Sequence, residues 1–378
     1  MDFSFNDEQA AVAEAASGVF GGTVDPDRVA EVERGDDRFD RKVWAALADA
    51  GLLGLAVPTE LGGQGLGLTE LCLLLEAQGR CVAPVPLWST LVAAALPLAR
   101  FGPGELAARW LPGVASGATV LTAALTSASS GAAPVLEARR TDGEWRCSGT
   151  ELAVPHAHLA ARILVPARTA GGDVVLGLVD PAADGVRLER AVTTNREIHP
   201  HLHLSDVPVE VVTGPERGAE ALSWTLEAAW TGLAAIAVGV SESALRQTAD
   251  YLNQRQQFGR PLSSFQATLL RAADAAIDLE AMRVTMWQAA WRMDTGRPAG
   301  EEVAVAKWQA AERGQRVVHA TQHLHGGIGA DVTYPIHRYF LWGKQLELML
   351  GGPSRHLARL GSLVAERVTA TAAGGAAS

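Results

Sequence analysis

Cysteines are few, and the most apolar uncharged run is interrupted by helix breakers. Only Cys72, Cys81 and Cys147 occur among 378 residues. Their odd number and their spacing fit neither a zinc site nor a redox pair, so we expect three reduced thiols in or near the core. The stretch 81–99 is the best candidate for a membrane span, but three prolines interrupt it and argue against a spanning helix.

Positive charge is also in short supply. The chain carries 32 lysines and arginines against 42 aspartates and glutamates, for a net charge of -10. No basic block stands out, which argues against binding to nucleic acid or to an anionic membrane. The first residues form neither the basic region nor the apolar region of a secretory signal, so we expect a cytoplasmic protein. A small molecule or another protein is the predicted partner.

Apolar residues make up 48% of the chain, enough for a large core, and their spacing changes twice. Up to about residue 116 it is helical. Between about 119 and 213 it shortens to strands, two of them around the turn Asp142-Gly143. Long helical periods then return, in a stripe formed by Leu270, Ala273, Ile277, Ala281, Val284, Trp287 and Trp291. We predict an α+β fold: a helical domain (1–117), a small antiparallel β domain (118–219), a helix bundle (220–368) and a disordered tail (369–378).

Three segments of the last third carry short motifs at matching spacings. They are R-Q-Q-F-G-R-P-L from Arg255 with Phe265-Gln266, H-L-H-G-G-I-G from His323, and Y-P-I-H-R from Tyr334. The first resembles the R-x-x-F-G…F-Q element of the acyl-CoA dehydrogenase family, and the second resembles its Q-x-x-G-G-x-G loop. Weaker matches, with the same order of domains, extend the resemblance over essentially the whole chain.

The resemblance implies an FAD-dependent oxidoreductase that dehydrogenates an acyl-CoA thioester. By position it assigns seven residues to FAD: Thr126, Arg255, Phe258, Gln266, His323, Gly326 and Gly327. An arginine offers the anionic pyrophosphate a planar, permanently charged fork, and glycines let the backbone approach closely. In the family the C-terminal part of this set is lent to the flavin of a neighbouring subunit, so the motifs imply an oligomer.

The catalytic base of the family is absent from both of its usual positions. That base is a carboxylate that removes the α-proton of the thioester. Counted from the motifs, its two alternative positions fall on Leu350 and Ala229, which cannot accept a proton. Glu347 lies three residues before Leu350, roughly on the same helix face, and is the remaining candidate base; Glu227 is less well placed. We expect both glutamates to be surface or packing charges.

The side that would face this chain's own flavin is altered as well. Thr126 is kept, but Ser127 replaces the usual glutamate and Ala132-Ala133 replaces a hydrogen-bonding Ser-Asp pair. Pro155 stands where the family has a threonine that bonds the flavin, and proline has neither an N–H nor a hydroxyl. The losses therefore concentrate on the chain's own flavin and substrate side.

This division is similar to that of the paired acyl-CoA dehydrogenases that act on CoA thioesters of sterol side chains in actinobacteria. We predict a subunit that completes the FAD site of a related subunit, which carries the catalytic glutamate. An electron-transfer flavoprotein is a further expected partner. The alternatives are an inactive family member with a structural or binding role, and a self-sufficient enzyme that uses Glu347 as base.

A metal site is not expected. His199, His201 and His203 alternate along a predicted strand and would share one face. No fourth ligand follows at a recognisable spacing, so histidines on an edge strand are the preferred interpretation.

Overall fold

The computed structural model describes residues 4–375. Its first part is helical and includes one π-helix. The elements of this part are α1 (Asp7–Thr23), α2 (Pro26–Arg34), α3 (Arg41–Asp49), α4 (Leu68–Cys81), the π-helix (Trp88–Ala95), α5 (Leu96–Phe101) and α6 (Gly104–Ala115).

Polar side chains mark where the first three helices begin. Asn6 and Gln9 form a reciprocal capping box at α1. Asp25 accepts the Arg28 amide at α2, and Asp40 accepts two amides at the start of α3. Each cap satisfies backbone donors that have no partner inside the helix. The helical first region is therefore confirmed.

A single eight-stranded sheet follows. Its strands are β1 (Leu121–Ala123), β2 (Leu136–Thr141), β3 (Glu144–Glu151), β4 (Arg162–Arg168), β5 (Val174–Val179), β6 (Val186–Glu189), β7 (His201–Pro208) and β8 (Glu210–Thr213). The order is β6-β7-β3-β2-β4-β5-β8, with β1 also on β4. The pairings are antiparallel except those of β4 with β1 and with β2, which are parallel. The hairpin predicted around Asp142-Gly143 is β2–β3.

The last part is a bundle of long helices. Its elements are α7 (Pro215–Gln254), β9 (Gln256–Gln257), β10 (Arg260–Pro261), α8 (Gln266–Asp294), α9 (Gly300–Leu324), α10 (Ile336–Leu348) and α11 (Pro353–Gly375). Among the described residues, α7 is the one helix long and apolar enough to cross a membrane, and 89% of its apolar window is buried inside the protein. A helix that is apolar on all sides and packed in this way is a core helix.

α7 packs most closely against α4, where two glycines meet. A Cβ on Gly239 would lie 2.0 Å from the Glu76 carbonyl oxygen, and one on Gly79 would lie 2.3 Å from that of Ile236. Only glycine allows this approach. One apolar core joins the N-terminal helices, the inner face of the sheet and the bundle, and a second lies within the β domain. Cys72 and Cys147 are buried in these cores, and Cys81 is half-buried.

One expectation about the last part needs correction. The tail predicted to be disordered from Thr369 continues α11 as far as Gly375, because this run holds alanines and the Thr369 hydroxyl bonds back to the Ala365 carbonyl. Residues 376–378 lie outside the described part. The stripe that predicts α8 is exposed at Leu270, Ile277 and Val284.

Candidate functional site

The C-terminal motifs form one exposed surface, which we call the lending face: Arg255, Phe258, Gln266, His323, Gly326 and Gly327. Arg255 follows the last residue of α7, where its amide donates to the Tyr251 carbonyl at 2.8 Å. All six residues of the face are exposed. Their side chains and backbone are therefore accessible to a ligand or to a second subunit.

Phe258 is presented by a two-residue hairpin turn between β9 and β10. Phe258 and Gly259 have φ angles of 53° and 76°, the left-handed pair that tight hairpins require. The Phe258 ring meets Phe265 edge-on at 6.2 Å, and Arg260 lies 4.1 Å above Phe265. Phe258 is nevertheless 92% exposed, which is typical of an apolar side chain that a partner covers.

An aromatic cluster connects the two halves of the lending face. Tyr251, one turn before Arg255, stacks on His325 at 4.5 Å, and the Tyr334 ring is tilted against the same imidazole at 5.4 Å. His325 Nδ1 donates to the Thr321 carbonyl at 2.9 Å, and burial lowers the His325 pKa. Because Gly326 follows His325 directly, the cluster fixes the glycine turn relative to Arg255. The motifs contain His325 and Tyr334, but their spacing did not indicate this role.

The glycine turn is open. A Cβ added to Gly326 or Gly327 would meet no described atom within 4 Å, and Gly326 has a φ of 65°. The turn begins the 3₁₀ helix Gly326–Ala330. Its surface is therefore clear for the close approach of a large ligand.

Both positions expected for a catalytic base are apolar and buried. Ala229 is fully buried, and the Trp88 indole donates to its carbonyl at 2.8 Å. Leu350 is 5% exposed and has a left-handed φ of 53°. Its carbonyl accepts from Trp230 Nε1 at 2.9 Å and from His356 Nε2 at 3.2 Å. This region holds its backbone firmly without a proton-accepting side chain at either position.

A buried lysine fixes the segment that leads to Leu350. Lys307 on α9 is 1% exposed, and its ammonium donates to the carbonyls of Leu346 at 2.9 Å and Gly351 at 3.3 Å. Burial lowers the pKa of Lys307 to about 7. Burial likewise lowers the pKa of His356 to about 3. Lys307 and His356 therefore flank the end of α10, and burial makes the charged form of each less favourable.

Both alternative carboxylates are paired with neighbouring cations. Glu347 forms an ion pair with Lys344 on α10. Glu227 lies 3.4 Å from Arg359, and burial raises the Glu227 pKa. Neither glutamate lines the groove or the cavity described below. Their positions favour the interpretation of both as packing charges.

By resemblance, the loop 126–134 would face the chain's own flavin. The two hydrogen-bond donors of Ser127 in this loop are already bonded to another residue of the chain. The Ser127 amide donates to Glu151 at 2.9 Å, and the Ser127 hydroxyl donates to the same carboxylate. Glu151 is buried, which raises its pKa. Thr126 is half-buried, and its carbonyl accepts the Ser129 hydroxyl at 2.7 Å. Sequence reasoning missed Glu151, since it lies on β3, 24 residues from its partner.

The neighbouring segment 153–156 closes the same region. The Pro155 carbonyl accepts the hydroxyl of buried Thr122. Ala153 and His156 on either side have left-handed φ angles of 50° and 52°. A cavity of about 30 Å³ remains here, and its wall includes Trp88, Pro155 and His156. It holds about one water molecule and has no room for a flavin ring.

The three histidines considered as metal ligands do not share a site. His201 Nδ1 accepts the Ala153 amide at 3.1 Å, and His203 lies between Thr150 and Glu189. His199 precedes β7 and instead lies in a buried group with Glu197 and His156.

A groove of about 940 Å³ separates the loop 126–134 from α7 and α11. Its wall combines apolar side chains, among them Leu222, Leu226 and Trp230, with the guanidinium groups of Arg355 and Arg359. Arg359 lies 4.8 Å above the Trp230 ring. A groove with an apolar wall and fixed cations suits a long, partly apolar anion.

Comparison with known proteins identifies the family to which the chain belongs. Residues 6–118 match the model of the acyl-CoA dehydrogenase N-terminal domain, and residues 216–362 match that of the C-terminal domain. The chain is 37% identical to the acyl-CoA dehydrogenase FadE27 of Mycobacterium tuberculosis over 374 residues, covering 97% of this chain and 99% of that protein.

Two solved structures are similar over nearly the full length. One, a variant of the Tcur3481-Tcur3483 steroid ACAD, has 47% identity and a TM-score of 0.91 and covers 96% of this chain and 99% of its own. The other is the ChsE4-ChsE5 complex from Mycobacterium tuberculosis, with 37% identity, a TM-score of 0.91 and coverage of 97% and 99%. The fold predicted from the sequence is thus confirmed, and the chain belongs to the acyl-CoA dehydrogenase family of FAD-dependent oxidoreductases.

Proposed function

We propose that this chain is the subunit of a hetero-oligomeric acyl-CoA dehydrogenase that lacks the base and completes the FAD site of a related, glutamate-bearing subunit. The observation that carries the proposal is the contrast between two surfaces of one chain. The lending face is exposed and keeps its motif residues except for His323, which replaces a glutamine, whereas Leu350 and Ala229 are buried and apolar.

The lending face fits a dinucleotide. Arg255 would hold the pyrophosphate through charge-assisted hydrogen bonds. The open turn at Gly326 and Gly327 offers backbone close to the ligand, and His323 is exposed and able to bond a ribose or an adenine edge. When bound, FAD accepts the hydride that leaves the β-carbon of the thioester.

The chain's own flavin side does not fit the cofactor. The Ser127 donors are used by Glu151, Pro155 has no N–H, and the adjoining cavity of about 30 Å³ is too small. We therefore route no chemical step through a flavin on this side.

An exposed apolar stripe on α8 supports a second subunit as partner. Leu269, Leu270, Ile277 and Val284 are all about half exposed or more, and the stripe starts close to Phe258 and Phe265. A monomer rarely leaves such a row in water. The similar structures are the Tcur3481-Tcur3483 steroid ACAD and the ChsE4-ChsE5 complex, which supports a related acyl-CoA dehydrogenase as that partner.

The thioester that reacts must lie beside the bound FAD and therefore in the related subunit. The groove beside loop 126–134 of this chain joins apolar walls to Arg355 and Arg359, a lining that suits a CoA thioester as a ligand that is bound but does not react. The description of one similar protein as a steroid enzyme favours the thioester of a sterol side chain. Electrons would pass to an electron-transfer flavoprotein. The excess of acidic over basic residues and the burial of α7 inside the fold favour a location in the cytoplasm.

The test is expression of the chain alone and together with an acyl-CoA dehydrogenase-like chain encoded beside it. We expect the pair to purify as a hetero-oligomer with about one flavin for each pair of chains, measured by native mass and flavin absorbance. The pair should dehydrogenate a steroid acyl-CoA. The single chain should show little or no turnover, because loss of the base alone costs a factor of about 100 to 10,000 and its own side does not fit the flavin.

Glu347→Gln separates the remaining alternatives. It should leave the activity of the pair unchanged. A single wild-type chain with robust activity that Glu347→Gln abolishes would contradict the proposal and make Glu347 the base. A chain that binds a related subunit without any turnover of the pair would instead support a structural role.

A further inference from the structure

His156, Glu197 and His199 form a buried group outside the lending face. They are 6%, 8% and 2% exposed, and one ligand atom from each lies within 4.8 Å of the others. His156 follows the segment after β3, whereas Glu197 and His199 precede β7. The backbone brings these segments together, because the His156 amide donates to the Ile198 carbonyl at 3.2 Å.

The hydrogen bonds around His156 are compatible with a proton on Nδ1. Ser89 Oγ lies 3.1 Å from the Pro86 carbonyl and 3.2 Å from His156 Nδ1. When the Ser89 hydroxyl donates to Pro86, its oxygen accepts from Nδ1, which then carries the proton. In the neutral imidazole, Nε2 then carries a lone pair and no proton. This nitrogen lies 3.6 Å from Glu197 Oε1.

This leaves two acceptor atoms facing each other inside the protein. Nε2 of His156 has no hydrogen-bond partner among the described residues, and 3.6 Å is longer than an N–H···O bond. Buried acceptors of this kind are costly unless a cation lies between them. His199 Nε2 lies 3.3 Å from the other oxygen of the same carboxylate.

We propose that His156, Glu197 and His199 bind one divalent transition-metal ion, with zinc as the ion of choice. Bonds of about 2.0 to 2.1 Å at tetrahedral angles separate neighbouring ligand atoms by roughly 3.3 to 3.4 Å. The two imidazoles lie 3.6 and 3.3 Å from the two different oxygens of Glu197, and one ligand atom from each of the three residues lies within 4.8 Å of the others. Small side-chain rotations would bring the three ligand atoms to this spacing around one ion. Two imidazoles and one carboxylate are a donor set that zinc accepts, with water as fourth ligand.

The surroundings supply what such a site needs. The adjoining cavity of about 30 Å³ has room for the water ligand. Asn195 donates to Glu197 Oε2 at 2.9 Å and Ser89 contacts the far nitrogen of His156, so neighbouring residues orient two of the ligands.

The ion would connect parts of the chain that lie far apart in sequence. It would tie the loop before β7 to the segment after β3 and, through Ser89, to the π-helix. It would also occupy the region where the chain's own flavin side is closed. This inference concerns the chain's own interior and does not depend on the proposed partner or substrate.

The test uses tag-free protein that has been stripped with a chelator and then mixed with zinc chloride or cobalt(II) chloride. We expect the wild type to retain close to one metal per chain after gel filtration, to show the visible absorption bands of tetrahedral cobalt(II), and to unfold at a higher temperature with metal. Glu197→Gln keeps the size of the side chain and should weaken cobalt affinity by on the order of 100-fold. His156→Gln should do the same.

His203→Gln is the matched control, since His203 lies on β7 and is half-buried with Glu189 as its own partner. It should bind cobalt as the wild type does. The inference fails if the wild type retains no metal and gains no thermal stability. It also fails if His203→Gln loses binding as severely as Glu197→Gln, because the metal would then be held by surface histidines. The wild-type measurement decides the matter even where a variant does not fold.

Discussion

Among single residues, Leu350 has an unusual backbone that its neighbours hold in place. A left-handed φ of 53° costs a leucine about 1 to 2 kcal/mol relative to glycine. Trp230 and His356 both donate to the Leu350 carbonyl. If Leu350 occupies the base position, as we propose, the chain holds an apolar side chain in a fixed place where a carboxylate would otherwise act.

Arg255 is the residue whose removal tests the lending face most directly. Arg255→Ala in the assembled complex should weaken FAD binding by about 1.5 to 3 kcal/mol, because a charge-assisted contact to the pyrophosphate is lost. Flavin retention during gel filtration and a titration of the apo-complex measure the effect.

Arg217→Ala is the control for that substitution. Arg217 lies on the same helix near its opposite end, where it is exposed and paired with Glu220. Its removal should leave flavin binding unchanged. Equal flavin affinity in the Arg255 variant and the wild type would show that the arginine is only a solvated helix charge.

The sequence motifs identify the exposed residues of the lending face, whose role in binding FAD stays a prediction, but they do not identify the buried groups near Ser127 and Pro155. Arg255 and Gly326 stand in motifs of fixed local spacing. Glu151 contacts Ser127 from the end of β3, and His156 lies near Glu197 across 41 positions of sequence. Such contacts depend on strand register, which composition and local spacing do not specify.

At the scale of elements, the end of α10 depends on a lysine from α9. The pKa of Lys307 is lowered to about 7 by burial, against about 10.4 in an unfolded chain. Between these values the unfolded state binds a proton that the native state does not, so this lysine makes stability rise with pH. The slope is up to about 1.4 kcal/mol per pH unit.

Lys307→Met should remove the increase in the free energy of unfolding with pH that Lys307 causes. We expect the free energy of unfolding of the wild type, relative to this variant, to increase between about pH 7 and 9. Urea unfolding across this range measures it. Lys344→Met, on α10 and paired with Glu347, is the control and should run parallel to the wild type. Parallel profiles for both variants would mean that Lys307 keeps an ordinary pKa in the native state.

The element α8 shows what periodicity can and cannot predict. Apolar residues at every third or fourth position from Leu270 onward correctly predicted a helix. The buried face, however, is formed by smaller or more flexible residues such as Ala275, Met282 and Met286. An apolar stripe shows that a surface will be covered, but not whether the same chain or another one covers it.

At the scale of the whole molecule, that stripe should control assembly. Ile277 is 65% exposed, and Ile277→Glu would place a charge in the predicted subunit interface without disturbing the core. We expect the dissociation constant of the hetero-oligomer to rise at least about tenfold, because an unpaired buried charge costs several kcal/mol. Sedimentation of the co-purified complex measures this.

Val192→Glu is the comparison for the interface variant. Val192 is also half exposed but lies in the β domain, away from the stripe. It should leave the sedimentation of the complex unchanged. An Ile277 variant that assembles normally would mean that α8 faces solvent in the working protein.

The order of three domains was predictable for the whole chain, because spacing and motifs agree from one end to the other. The mixed pairing of β4 was not, since β1 and β2 reach it from separate connections. The extent of α11 was underestimated because a composition of alanine, glycine and threonine resembles that of a flexible tail.

The length of α7 has a further consequence. Ala229 lies inside this helix and Arg255 directly follows its last residue, about 40 Å away at 1.5 Å per residue. A substitution at Ala229 therefore does not touch the backbone that presents Arg255. Under the proposed function, this distance lets one chain go without a catalytic base and still offer an intact arginine to a second subunit.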